Sequence, residues 1–377
     1  MSSIVLLKSH LSRQGGAEKY TWRLASALQA RHYEVTILTS GPTLPAENLN
    51  IISCPDASCS FRFVKQFDRF CENYLKNHPI PIIFGLDRNR HQTHLRASNG
   101  SHRAFLEERK KNEGLLKNLT FSLNPLHSSL LAIEKASFEN PYLKCLITNS
   151  HMVKREILQD YRVDPTIIKV VHNGVEWKEM LSSFQAWPEA RSSLLQKWGL
   201  ITPTFHLLFV GNNYKRKGLE PLLKGLHLLL KNGTCDFHLS VIGKEKNIKK
   251  FQQLAAQLNL NNHVSFFGPK NDITPFYQMA DALVIPSFYD PFANVTVEAL
   301  SMGVPVISSL TNGGHEILTA DNGFIIEALT DPFSMKAALE KAFKHPKTWK
   351  SSLLVRDSVS HLDFSIQLKT LLDRCAL

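Results

Sequence analysis

Two acids and two cations in the second half of this sequence have the types and spacing to hold an anionic ligand and its hydroxyls. Asp290 and Glu298 are separated by seven residues, Pro291-Phe292-Ala293-Asn294-Val295-Thr296-Val297. The apolar run Ala282 to Pro286 predicts a strand before them, and the pattern from Asn294 onward predicts a helix. Asp290 then falls in the connecting loop and Glu298 about one turn into the helix. A helix start near Asn294 to Thr296 offers unpaired N–H groups and the positive end of a dipole, which suits a pyrophosphate. Glu298 can accept hydrogen bonds from ribose hydroxyls, and Asp290 can reach the hydroxyls of a sugar on that pyrophosphate. Taken alone, two acids here read more simply as an acidic cap and an ordinary helical Glu.

The cations lie upstream in Asn212-Asn213-Tyr214-Lys215-Arg216-Lys217-Gly218, after the apolar run His206 to Gly211 and before a helical pattern. Arg216 as a fork and Lys217 as a point charge can neutralise a diphosphate, although a lone basic tripeptide is more often a solvated surface. A third cluster, Gln14-Gly15-Gly16-Ala17-Glu18, precedes another helical pattern. Adjacent glycines allow close backbone approach to a ligand, or simply make a tight turn. The spacing G-x-G-x-x-G is missing, so a dinucleotide fingerprint is not expected.

Loops of this kind must be delivered by strands, and the rest of the chain predicts them. Apolar runs alternate with helical patterns at Ile4 to Leu7, Ala17 to Arg31, Val35 to Thr39, Leu143 to Thr148 and His151 to Tyr161, with a further strand at Ile167 to Val171. The series resumes at His206 to Gly211, Leu219 to Lys231, Phe237 to Ile242, Lys249 to Leu258, Val264 to Gly268, Ala282 to Pro286, Asn294 to Met302 and Val304 to Ser308. Such alternation predicts βαβ units and parallel sheets. Between residues 56 and 140 the pattern is less regular, with helical stretches Phe61 to Lys76 and His102 to Leu116 around a strand Pro81 to Leu86. The expected fold is α/β, with two Rossmann-like doubly wound domains, 1–175 and 176–358, facing a cleft where such folds bind ligands. A closing helix, 359–377, is expected to pack back on the first domain.

Composition narrows the class. The chain has 377 residues, 43% of them hydrophobic, with 18 Gly and 18 Pro, which excludes a disordered or collagen-like chain. Its six cysteines form no C-x-x-C pair, arguing against a zinc site or disulfide framework and for a reducing, cytoplasmic setting. No basic segment precedes Ile4 to Leu7, and no apolar run reaches the ~18 residues of a spanning helix. Residues 1–175 hold 23 Lys+Arg and 15 Asp+Glu, a balance of +8 out of a total of +11. A basic lobe suits nucleic acid, a phosphorylated acceptor or an anionic bilayer surface. Recognition-helix, zinc-finger and RNA-stacking signatures are not found, so nucleic acid is not expected.

The run Asp290-Pro291-Phe292-x-Asn294-x-x-x-Glu298-Ala299-Leu300-x-x-Gly303-x-Pro305-Val306 resembles the acid-x7-Glu signature of retaining GT-B glycosyltransferases of family 4. It is similar in particular to their lipopolysaccharide-core glucosyltransferase branch, with Asp290 where Glu is commoner. Arg216-Lys217-Gly218 matches the step that holds the leaving diphosphate, and Gly15 and Gly16 match the loop that faces the donor. Arg96-Ala97-Ser98-Asn99-Gly100-Ser101-His102 resembles the branch's R-A-G-D-G-x-H segment. Asn99 stands where an acid is usual, so it can bind a sugar but cannot act as a base. His102 is expected to contact the donor sugar or the acceptor hydroxyl, with His127 reading as a packing residue. Glu316, in Gly313-Gly314-His315-Glu316, reads as a supporting residue.

The resemblance implies a retaining hexosyltransferase with catalytic Asp290, His102, Arg216 and Lys217. Its expected substrate contacts are Gly15, Gly16, Asn99, Pro291, Phe292, Ala293, Asn294, Val295 and Glu298. The donor would be a nucleotide-diphosphate sugar, UDP-linked, and the acceptor lipopolysaccharide core or a related glycolipid reached by peripheral contact with the inner membrane face. With no D-x-D in the sequence, neither a metal nor a cofactor is expected. Two alternatives stay open: a nucleotide-sugar epimerase of the same fold, and a non-enzymatic basic protein that binds nucleic acid or membranes.

Overall fold

The structure, a computed structural model, describes residues 2–11, 16–40, 49–54, 60–112, 121, 124–200, 204–233 and 236–377. It comprises two compact units: Met1–His172 with Leu368–Leu377, and Asn173–Gln367. The first division therefore falls at 172/173 rather than 175/176, and the return to the first unit comes at Leu368 rather than 359. Backbone bonds explain the later return. Val175 N donates to the Leu362 carbonyl and Phe364 N donates to the Val175 carbonyl, which keeps residues 359–364 with the second unit.

The first unit is built on seven parallel strands: β1 (Ser3–Leu7), β2 (Glu34–Ser40), β3 (Asn50–Cys54), β4 (Ile82–Gly85), β5 (His94–Arg96), β6 (Cys145–Thr148) and β7 (Ile168–Val170). Their order is β3-β2-β1-β4-β5-β6-β7. Ile4, Val5, Leu6 and Leu7 are all fully buried, as expected of a parallel strand covered on both faces.

The second unit carries six parallel strands: β8 (Phe205–Val210), β9 (Phe237–Ile242), β10 (Val264–Gly268), β11 (Ala282–Ile285), β12 (Val306–Ser309) and β13 (Gly323–Ile326). They are ordered β10-β9-β8-β11-β12-β13. Alternate residues of β8 serve opposite faces. Leu207 and Phe209 join the cluster made by Leu219, Leu222, Leu226 and Leu229 of helix Leu219–Lys231, whereas Leu208 joins Leu283, Val297 and Leu300 on the other side. The apolar repeat of helix Leu219–Lys231 recurs every three or four residues, which turns one stripe toward the sheet. Both units are thus doubly wound α/β sheets. Among the described residues no helix is long and apolar enough to cross a membrane.

The order of the second sheet reverses between β8 and β11, which places the loops after those strands on either side of one crevice. Gly218, the N-cap of helix Leu219–Lys231, is left-handed at φ 78°. A Cβ on it would lie 1.7 Å from the Pro286 carbonyl oxygen, the residue that follows β11. Only glycine lets these two loops come together. Gly199 is also left-handed but faces open space. Gly218→Ala is therefore expected to cost about 3 kcal/mol or more, and Gly199→Ala only the roughly 1–2 kcal/mol of left-handed strain. Urea denaturation of the two variants checks this, and equal costs would contradict it.

Candidate active site

The residues at the β8–β11 crossover are bound into one constellation by three loops. In the loop after β8, Tyr214 is fully buried and its hydroxyl donates to the Gly243 carbonyl at 2.9 Å, while its N–H donates to Glu245. That anchor sets the following Arg216 and Lys217. Phe288 N donates to the Arg216 carbonyl, and Arg216 Nη1 donates to the Tyr289 carbonyl at 3.0 Å, which joins this loop to the one after β11. The aliphatic stem of Lys217 lies so close to Gly211 that a Cβ there would sit 2.9 Å from Lys217 Cγ.

Both cations converge on Asp290. Lys217 Nζ donates to Asp290 Oδ2 at 2.5 Å, and Arg216 Nη1 approaches the same oxygen at 3.4 Å. The other oxygen, Oδ1, accepts from Phe292 N. Asp290 also bridges to the loop after β12, donating its N–H to Thr311 and accepting from Gly313 N. Asn312 completes the join. Its Oδ1 accepts from Ala293 N and Gly314 N, and its Nδ2 donates to Ser308. One acid against two cations leaves a net single positive charge beside the start of helix Asn294–Ser301.

The expected donor contacts separate into two groups. Phe292 and Ala293 bury their side chains in the core, with Val295 packed against it, and the N–H groups of Phe292 and Ala293 are satisfied by Asp290 and Asn312. Their side chains build the loop rather than face a ligand, because the turn after Pro291 directs them inward. Asn294 is exposed, and its Oδ1 accepts from Asn173 Nδ2 at 2.7 Å. Glu298 is half-buried and accepts from the Tyr277 hydroxyl at 2.9 Å. Burial, and then the charge of Glu298, push the Tyr277 phenol up, so it remains a donor.

In the first unit a second group of residues surrounds His102, the first residue of helix His102–Asn112. Glu134, fully buried on helix Pro125–Phe138, accepts from His102 N at 2.7 Å, Arg103 N at 3.2 Å, Arg88 Nε at 2.8 Å and the Tyr161 hydroxyl at 2.6 Å. Burial raises its pKa, but Arg88 and these donors outweigh burial and hold it below the usual carboxylate range. The His102 and His127 rings meet through Nε2 and Nδ1 at 3.1 Å. His127 is therefore a partner of the imidazole as well as a packing residue. Burial and then the nearby Arg88 charge push His102 down to about 4, leaving its imidazole neutral near pH 7. Asn99 is exposed in the preceding turn. Gly16 opens helix Gly16–Ala30, and Gly15 lies outside the described residues.

Two family patterns match this chain: "Glycosyl transferases group 1" over residues 191–352, and "Glycosyltransferase Family 4" over residues 14–178. The chain belongs to these glycosyltransferases. The glycosyltransferase is 25% identical over 326 residues to the lipopolysaccharide glucosyltransferase WaaG of Escherichia coli (strain K12), covering 85% of this chain and 83% of that protein. It shares the GT-B fold of a crystal structure of WaaG, a glycosyltransferase involved in lipopolysaccharide biosynthesis. The TM-score is 0.76 at 21% identity, covering 99% of this chain and 98% of that one. Anabaena Alr3699/HepE, solved in complex with UDP and glucose, superimposes with a TM-score of 0.66 at 17% identity over 100% of this chain and 98% of its own.

Sequence spacing alone does not reveal Glu134, Asn173, Tyr277 or Asn312, because each acts on a residue from a different element. The only local signal is Asn124-Pro125, which starts the helix that carries both His127 and Glu134.

The neutral state of His102 has a measurable consequence for this glycosyltransferase. An unfolded imidazole titrates near pH 6.5, so between about pH 6.5 and 4 the unfolded chain takes up a proton that folded His102 refuses. Its share of stability is complete above about pH 6.5 and is lost as pH falls toward 4. Thermal melts across that window should show a shallower decline for His102→Gln than for the wild type. His238, likewise pushed down to about 4, contributes equally in both proteins. Identical slopes would contradict the assignment.

Proposed function

We propose that this glycosyltransferase transfers a hexose, with retention of anomeric configuration and without a metal, from a nucleoside-diphosphate sugar to a lipopolysaccharide-core or related glycolipid acceptor. The observation that carries the reading is the pairing of Arg216 and Lys217 on Asp290 at the β8–β11 crossover. The likeness to WaaG supports the acceptor class, and the likeness to HepE, which binds UDP and glucose, supports a UDP-linked donor.

In this reading the two cations, Lys217 buried and Arg216 half-buried but both aimed by Asp290, receive the developing charge of the leaving diphosphate, with the dipole of helix Asn294–Ser301 adding to them. Fixed positive groups of this kind need no reorganisation as the bond to the sugar breaks. An ionised carboxylate has about four acceptor sites. Three donors already meet Asp290, which leaves room for one sugar hydroxyl. Glu298, steadied by Tyr277, takes the ribose hydroxyls. The leaving phosphate oxygen accepts the acceptor's proton on the face where the new bond forms, and the neutral His102 imidazole orients a hydroxyl by hydrogen bonding. Positioning and charge compensation supply most of the rate.

Lys217→Ala and Arg216→Ala are each expected to lower turnover by about 100- to 1,000-fold, the scale of losing one preorganised charge donor. Steady-state assays with a panel of nucleotide sugars measure this, and unchanged turnover would remove the clamp. The basic first unit is the proposed membrane-facing side. Sedimentation with anionic vesicles should show binding that weakens as salt rises, and binding indifferent to salt and lipid charge would count against that contact.

A further inference from the structure

Beyond the transferase chemistry, the first unit contains a buried thiol pair that the proposed reaction does not use. Cys145 opens β6, and Cys375 follows helix Phe364–Arg374. Their sulfurs lie 3.4 Å apart, and the two residues are 4% and 5% exposed. The surroundings hold both partners in register. His94 is the strand neighbour of Cys145 on β5. Arg31 pairs with Asp373 at 2.7 Å, and Arg374 donates to the Val170 carbonyl. The returning chain is thereby fixed on both sides of the thiols.

We propose that Cys145 and Cys375 form a reversible redox clasp, oxidised by a hydroperoxide to a disulfide that makes the return of the chain to the first unit covalent. Cys145 is the thiol poised to react: the hydrogen bond from Cys375 and then the nearby Lys169 charge lower its pKa despite burial. Its thiolate attacks the peroxide oxygen, giving a sulfenic acid and releasing water or an alcohol after protonation. The Cys375 sulfur then attacks the sulfenic sulfur, expelling a second water and forming the S–S bond. Two electrons pass from the thiols to the peroxide. Closing the sulfurs to about 2.0 Å requires a side-chain movement of only about 1.4 Å. The bond encloses all of Asn173–Gln367 between its two ends, since Cys145 precedes that unit and Cys375 follows it.

The other described thiols behave differently. Burial and then the charge of Asp68 push the Cys71 thiol upward, keeping it protonated beside Cys54. Oxidation is therefore directed to the Cys145–Cys375 pair among the described cysteines.

The test uses the full chain, purified reduced, desalted and exposed to hydrogen peroxide under native conditions. Non-reducing peptide mapping should yield a peptide joining Cys145 to Cys375, with a mass lower by about 2 Da than the two thiol peptides together. Dithiothreitol should reverse it. The oxidised protein should melt several degrees higher than the reduced one, as expected for a long closed loop. Cys375→Ser should lose both the cross-link and the rise in melting temperature. The readout on the wild type does not depend on the variant folding. Recovery of both thiols in alkylatable form, or of Cys145 as sulfinic acid beside an intact Cys375, would overturn the proposal.

Discussion

Asp290 holds Lys217 and Arg216 on one carboxylate oxygen at the point where three loops of the second sheet meet. Every feature proposed for donor binding depends on that ion pair. Two cations on consecutive residues repel each other, and holding a buried Lys217 beside a half-buried Arg216 is costly unless a counter-charge is fixed nearby. Asp290 is itself fixed by backbone bonds to Thr311 and Gly313 and by Phe292 N. The carboxylate is thus held before it holds anything. Removing either side of such a buried pair leaves an uncompensated charge, so the constellation behaves as one unit. Its net positive charge also gives it a reason to bind an anion.

A similar arrangement supports the first unit. Glu134 is a fully buried carboxylate whose lone pairs are filled by Arg88, Tyr161 and the first two N–H groups of helix His102–Asn112. There the acid caps a helix, whereas Asp290 lies ahead of one. The outcome for the neighbouring side chain also differs. Arg216 and Lys217 are paired with their acid, but His102 is held neutral by burial and Arg88. The first unit offers a hydrogen-bonding ring near its helix start and the second unit offers charge.

Much of this is legible in the sequence because the chemistry follows strands that are strongly apolar. Ile4 to Leu7, His206 to Gly211 and Ala282 to Pro286 all mark strands, and the clusters after the last two carry the ion pair. Three strands are not legible. Asn50–Cys54 is mostly half-buried, His94–Arg96 has polar residues at two of its three positions, and Gly323–Ile326 begins with a glycine. Each takes its strand identity from its neighbours in the sheet rather than from its own apolarity. The supporting residues are hidden for a related reason. Glu134 reaches His102 across 32 residues, and Asn173 reaches Asn294 across 121, separations at which no periodicity survives. Phe292 reads as a ligand contact but is a core residue, because an aromatic side chain after proline in a loop does not announce that it turns inward.

The central claim is that Arg216 and Lys217 grip the diphosphate of the donor. Calorimetric titration of uridine, guanosine and adenosine diphosphates, each beside its parent nucleoside, isolates that grip. The account predicts that the wild type binds one diphosphate far more tightly than its nucleoside, and that in the Arg216→Ala/Lys217→Ala double variant this advantage nearly vanishes while nucleoside affinity is kept. A double variant that retains the full diphosphate advantage would contradict it.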